Sequence, residues 1–144
     1  YGGYAKIGLA TSSDGLSWTR YSGNPVLTHT ANWEGTGVYY ASVLFENNQF
    51  KMVYSNRHYS DDAFGLATSS DGKNWIKAST NPFFTDQNTA NNWADDDIAY
   101  PFFMKTQNDY RIYYSGIGDN SNMYKIGFLR KQQFTKKSCF PKRF

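Results

Sequence analysis

The chain has 144 residues, a formal net charge of only +3, and an aromatic content of 19% dominated by Tyr and Phe. That length suits one domain with a core of moderate size. The body carries no basic stripe, which argues against a nucleic-acid partner, and no apolar run approaches a membrane span. Cys139 is the only cysteine, so no internal disulfide forms. The chain begins at Tyr1 with no signal peptide in view, which leaves the compartment open, secreted or periplasmic included.

Taken in order, the chain repeats itself. Ile7 to Thr28 reads IGLATSSDGLSWTRYSGNPVLT, and Phe64 to Thr85 reads FGLATSSDGKNWIKASTNPFFT. Between them, Trp33 to Ser55 reads WEGTGVYYASVLFENNQFKMVYS and aligns with Trp93 to Ser115, WADDDIAYPFFMKTQNDYRIYYS. A further copy opens at Tyr124-Lys125-Ile126-Gly127-Phe128 and then loses the pattern. A period of about 60 residues marks one supersecondary unit used several times.

Helical periodicity is nearly absent, and the apolar runs are short, β-branched and aromatic, bounded by Gly, Asn, Asp and Ser. Each unit reads as four antiparallel strands. The first is Val38–Phe45, or Ile98–Lys105 in the next copy, and its near-continuous apolar character predicts burial on both faces. Asn47-Asn48-Gln49 and Gln107-Asn108-Asp109 mark turns into second strands at Phe50–Ser55 and Tyr110–Ser115. Third strands follow at Ile7–Ser12, Phe64–Ser69 and Tyr124–Leu129, and fourth strands begin near Trp18 and Trp75. The fold class is therefore all-β, with about two and a half four-stranded propeller blades in repeats of about 1–28, 33–85 and 93–130. Residues 131–144 form a basic tail, read as a solvated end. A partial array leaves apolar faces open, which predicts a homodimer that completes the ring.

Ser-x-Asp-Gly-x-x-Trp occurs at Ser12–Trp18 and at Ser69–Trp75. Its duplication assigns Asp14 and Asp71 to turn structure, and Asn24-Pro25 and Asn81-Pro82 to strand exits. The acidic residues before the first strands differ between copies: Glu34 aligns with Ala94, and Asp95, Asp96 and Asp97 with Gly35, Thr36 and Gly37. Structural residues repeat while functional ones diverge, so Glu34, Asp95 and Asp97 are candidate catalytic carboxylates against the plainer reading of a solvated acidic loop. Arg57 and His58, which do not repeat, are candidates for orienting a carboxylate or a sugar hydroxyl. No zinc-ligand spacing, phosphate loop or serine elbow is present, so neither a metal nor a cofactor is expected.

The combination of Trp-acid, apolar strand, Tyr54-Ser55 and Tyr113-Tyr114-Ser115, IGLATSSDGLSW and FGLATSSDGKNW, and Asn-Pro resembles the five-bladed β-propeller glycoside hydrolases and their arabinanase-, xylosidase-, invertase- and mannoside-phosphorylase-like relatives. The resemblance covers roughly residues 4 to 130. It implies hydrolysis of glycosidic bonds in an oligo- or polysaccharide by paired carboxylates near the innermost strands. On it, Glu34 is the expected acid and Asp95 or Asp97 the base, with Trp33, Trp93 and Tyr100 as sugar platforms. The alternative is a noncatalytic sugar-binding or assembly module that keeps the blades without the activity.

Overall fold

The computed structural model describes residues 4–56, 62–90, 93–118 and 123–130. Among them the chain forms strands and two single 3₁₀ turns, with no helix long and apolar enough to cross a membrane. Short β1 (Ala10–Thr11) and β2 (Thr19–Arg20) form an antiparallel pair. The complete blade comprises β3 (Val38–Glu46), β4 (Gln49–Asn56), β5 (Ala63–Ser69) and β6 (Ile76–Lys77) in that spatial order, with β7 (Phe84–Thr85) on β5 as well. The last blade has β8 (Asp97–Lys105), β9 (Tyr110–Ile117) and β10 (Lys125–Arg130). The fold is all-β and built of partial propeller blades, as the repeat predicts. The basic tail lies outside the described residues.

Local chemistry sets the turns. Asn47 and Asn48 both take positive φ, 50° and 59°, between β3 and β4, a conformation asparagine tolerates and a tight hairpin requires. In the two Asp-Gly turns the serine hydroxyl accepts from the glycine amide (Ser12 2.8 Å, Ser69 2.9 Å), and the aspartate accepts from two following amides at 2.8 Å. The amides of Ser17 and Leu16, with the Ser12 hydroxyl, hold the exposed Asp14 carboxyl down at about 2. Asp71 is lowered in the same way by the amides of Asn74 and Lys73.

Asparagine, rather than proline, carries the Asn-Pro motif. Asn81 accepts from the Leu66 amide and donates to the Leu66 carbonyl, both at 2.9 Å, and Asn24 does the same for Leu9 at 2.8 Å. The side-chain amide stands in for a strand residue where the fourth-strand position is interrupted between β6 and β7.

The first-strand expectation of burial on both faces is corrected. Burial on both faces falls instead to β4, where Lys51 to Asn56 are all buried, and to β5, whereas Tyr40, Val43 and Phe45 of β3 are exposed. Met52 and Tyr54 join Leu27 and Val38 in one core cluster, and Val53 joins Ile98, Phe103 and Ile112 in another. β4 therefore lies between neighbouring blades, while the other edge of β3 pairs with no strand among the described residues.

Several polar side chains inside this layer are paired. Buried Lys51 meets Glu46 at 2.7 Å, and Lys105 and Tyr110 of the next blade donate to the same carboxylate. Ser42 of β3 accepts from the Phe103 amide of β8 at 2.8 Å.

Removing the Asn81 side chain strips partners from two ladder groups and from the Tyr54 hydroxyl, to which it donates at 3.2 Å. Asn81→Ala is expected to lower unfolding free energy by roughly 1–3 kcal/mol in urea titration. An unchanged midpoint would refute the strand-mimic role.

Candidate functional site

The two innermost strands each break register once, β3 between Tyr39 and Ser42 and β8 between Ala99 and Phe102. At each bulge a tyrosine takes positive φ: Tyr40 at 44° and Tyr100 at 54°. A bulky residue held there costs on the order of 1–3 kcal/mol, and bulges re-aim side chains. The result is a pair of tyrosine rings with centroids 4.1 Å apart and a tilt of 38°. The Tyr40 hydroxyl is raised above its ordinary value by its hydrogen bond with Tyr100, with partial burial and neighbouring charge adding to it.

These rings stand over a cleft of about 370 Å³ between β3 and β8. Its lining includes Tyr39, Ser55, Asn56, Asp62, Asp97 and Tyr124. Asp97, at the start of β8, accepts from the Tyr124 hydroxyl at 2.9 Å, and that bond raises the Tyr124 phenol. Asn56 is used at both ends of its amide, donating to the Trp33 carbonyl and accepting from the Ala63 amide at 2.7 Å each. The arrangement offers exposed aromatic faces, carboxylates and hydroxyls in one place. Among the described residues, no cation lines it, and no cluster of three His, Cys, Asp or Glu has the geometry to hold a metal.

The expected site residues divide sharply. Asp97 and Tyr100 line this cleft, while Asp95 precedes β8 outside its lining. Glu34, expected as the acid, is brought elsewhere, outside the cleft lining. It is fully buried and accepts from the amides of Thr30 (2.6 Å) and Ala31 (3.0 Å), from the Tyr54 hydroxyl (2.9 Å) and from Lys77. Burial raises its pKa, but Lys77, the two amides and Tyr54 together outweigh it and leave the carboxyl below its ordinary value. A carboxylate so enclosed has no lone pair free to meet a leaving group.

Trp33 and Trp93, expected as platforms, lie outside the lining of this cleft. Each lies against the second-strand tyrosine of its blade, Trp33 on Tyr54 at 5.9 Å and Trp93 on Tyr114 at 5.7 Å. Each also covers a third-strand glycine. A Cβ at Gly65 would fall 2.4 Å from Tyr54 and 2.7 Å from Trp33, and one at Gly127 would fall 2.4 Å from Trp93. Arg57 and His58 lie outside the described residues.

Sequence reasoning missed Tyr40, Ser55, Asp62 and Tyr124. Tyr40 and Tyr100 recur at the repeat offset, which reads as structure, and Asp62 sits in a loop with no motif around it.

Antiparallel blades with bulged inner strands facing one cleft give the chain the fold of part of a β-propeller, shared with solved glycoside hydrolases and a phosphorylase. It superposes on a family 32 β-fructofuranosidase of Bombyx mori in complex with sucrose, with a TM-score of 0.70 and 18% identity over 90% of this chain and 28% of that one. A β-1,2-mannobiose phosphorylase from Listeria innocua gives a TM-score of 0.62 and 17% identity, covering 84% of this chain and 31% of the other. The catalytic domain of a family 62 α-L-arabinofuranosidase from Coprinopsis cinerea gives 0.55 and 20%, covering 78% and 45%. The chain thus spans less than half the length of each. No family model matches the sequence, and no curated protein matches it.

Because the folded-state pKa of Glu34 is depressed, its stabilising contribution is fully present above the ordinary glutamate value of 4.5 and is lost as pH falls through the folded value. Glu34→Gln leaves Lys77 without its counter-charge and is expected to lower stability at pH 7 by about 3 kcal/mol. Its acid-side loss below pH 4.5 should be shallower than that of the parent. Denaturant titrations of both proteins across pH 3–7 check this, and coincident pH profiles would exclude Glu34 as a stabilising group.

Proposed function

We propose that the cleft between β3 and β8 binds a neutral sugar of an oligo- or polysaccharide. The observation that carries this reading is the convergence of the Tyr40–Tyr100 pair with Asp97 and Tyr124 over one cavity. Tyr100 is 55% exposed and offers a flat apolar face to a sugar ring. Asp97 adds a charge-assisted acceptor for sugar hydroxyls. Aspartates at the wall, with no lining cation among the described residues, disfavour an anionic sugar. The Bombyx mori enzyme is described with sucrose and the Listeria innocua phosphorylase with mannobiose, which supports a carbohydrate as the ligand class.

Hydrolysis of a glycosidic bond is the second reading, favoured by one specific observation: two carboxylates, Asp97 and Asp62, line the same cleft. One would protonate the leaving oxygen and the other would attack the anomeric carbon or activate water. A separation of about 5 Å would give retention, and about 6.5–9.5 Å inversion. The noncatalytic module differs only in lacking that pair as a working acid and base.

Self-association into a homodimer that supplies further blades belongs to the same proposal. Ile126 and Phe128 on β10 expose apolar surface where a blade would ordinarily be covered. Light scattering at micromolar concentration is expected to give twice the chain mass, and a stable monomer would remove this element.

Calorimetric titration with arabino-, xylo-, fructo- and manno-oligosaccharides tests the binding reading. Tyr100→Ala and Asp97→Asn are each expected to weaken the bound sugar at least about tenfold, in keeping with a charge-assisted bond of about 1.5–3 kcal/mol. Undiminished binding in both variants would exclude the cleft. If aryl glycosides are turned over, Asp97→Asn and Asp62→Asn should each cost about a hundredfold. Binding without turnover assigns the module reading.

A further inference from the structure

Among the described residues, Tyr40 and Tyr100 are the closest pair of aromatic rings. Their centroids lie 4.1 Å apart at a tilt of 38°, which sets ring carbon against ring carbon in van der Waals contact. The hydroxyl ends meet as well, because hydrogen bonding with Tyr100 is the largest influence on the Tyr40 phenol. Rings that are close at both their centres and their hydroxyls bring together the Cε carbons beside each hydroxyl. Those carbons are the positions through which two phenoxyl radicals join.

Solvent reaches both side chains, Tyr40 at 45% and Tyr100 at 55% exposure, and both line the cleft. The backbone fixes the arrangement, since each tyrosine sits at a bulge with positive φ, one on β3 and the other on β8. The other ring contacts of tyrosines differ. Tyr39 stands 5.5 Å from Tyr40 and is its chain neighbour. Tyr54 and Tyr114 are buried against tryptophans, and Tyr110 and Tyr113 lie against phenylalanines. Among the described residues, Tyr40 and Tyr100 alone pair two exposed phenols across a blade interface.

We propose that Tyr40 and Tyr100 form an oxidative modification site, at which a haem peroxidase supplied with hydrogen peroxide joins the two rings into an intramolecular dityrosine. Each phenol gives up one electron and one proton and becomes a phenoxyl radical. The two radicals form one carbon–carbon bond between their Cε atoms, and each ring regains aromaticity as its Cε hydrogen moves to the phenol oxygen. Across the reaction the protein loses two electrons and two protons, which reduce one hydrogen peroxide to two waters. The bulges already hold the rings in contact, so the coupling step needs no further search. The bond staples β3 to β8 and restricts the unfolded chain as a disulfide does. This inference stands apart from the sugar-binding reading.

The test exposes the full chain at low micromolar concentration to a haem peroxidase and hydrogen peroxide, with N-acetyltyrosine in a parallel reaction to show that the oxidant works. Under denaturing conditions the product is expected to have the mass of one chain less two hydrogens and the blue fluorescence of dityrosine. Its peptide map should contain a cross-linked peptide joining Tyr40 to Tyr100. Tyr40→Phe and Tyr100→Phe should each reduce the intramolecular product at least about tenfold, whereas Tyr39→Phe should leave it intact. The cross-linked chain should also melt at a higher temperature than the untreated one. If a phenylalanine variant does not fold, the peptide map of the wild-type product still locates the bond. Cross-links that map to other tyrosines, or that join separate chains while Tyr40 and Tyr100 stay unmodified, would overturn the inference. So would undiminished product in either phenylalanine variant, or no dityrosine in the protein while N-acetyltyrosine couples.

Discussion

Strand β4 has no solvent face, and the rest of the molecule follows from that. Met52 and Tyr54 point into one inter-blade core and Val53 into the other, so the complete blade holds its neighbours by burying alternate sides of a single strand. A polar group carried into this layer is costly unless an internal partner meets it. Lys51 finds Glu46, Tyr54 finds Glu34 and Asn81, and the interrupted outer edge of β5 finds the Asn81 amide. These contacts read as a list of separate features, but each answers the same demand. The inner edge escapes it. Among the described residues no strand pairs with the free edge of β3, so its bulge, its exposed tyrosine and the cleft against β8 lie where the packing requirement is weakest.

That contrast separates structural from functional chemistry better than residue type does. Glu34 and Asp97 are both carboxylates at the entry to an innermost strand. Glu34 is closed in by two amides, a phenol and a lysine, and its proton affinity is lowered by that enclosure. Asp97 has a phenol on one oxygen and an open cavity beside it. Backbone strain points the same way. Tyr40 and Tyr100 hold positive φ in bulges, a conformation tyrosine adopts only when the surrounding strands impose it, and both face the cleft.

Much of the blade is legible in the sequence because its constraints are local and recur. Gly65 and Gly127 repeat because Trp33 with Tyr54, and Trp93 with Tyr114, cross the third strand where no Cβ fits. Ser-x-Asp-Gly repeats because one serine and one aspartate cap the same turn amides in each copy. The site was less legible, for a physical reason. Divergence between copies does not by itself mark function: Glu34 diverges from Ala94 because it has Lys77 as an ion-pair partner, a contact 43 positions away in sequence. Conversely, Tyr40 and Tyr100 recur, and recurrence concealed them. Which side of a strand faces an axis is fixed by register and bulge position, and neither is written in the alternation of residue types once a bulge intervenes.

Binding asks less of this chain than catalysis does. A sugar site needs one cleft with an apolar face and a few oriented polar groups, and two adjacent innermost strands enclose such a cleft without help from other blades. Glycosidic cleavage needs an acid and a base held on opposite flanks of one bond, with proton affinities pushed apart by different surroundings. The cleft supplies Asp97 from the β8 strand start and Asp62 from the residue before β5, so both carboxylates reach it from different blades. A change in how β3 and β8 lie against each other would alter the distance between those carboxylates while leaving the Tyr100 face on its own strand. On the proposed reading, the same geometry would lose turnover before it lost recognition.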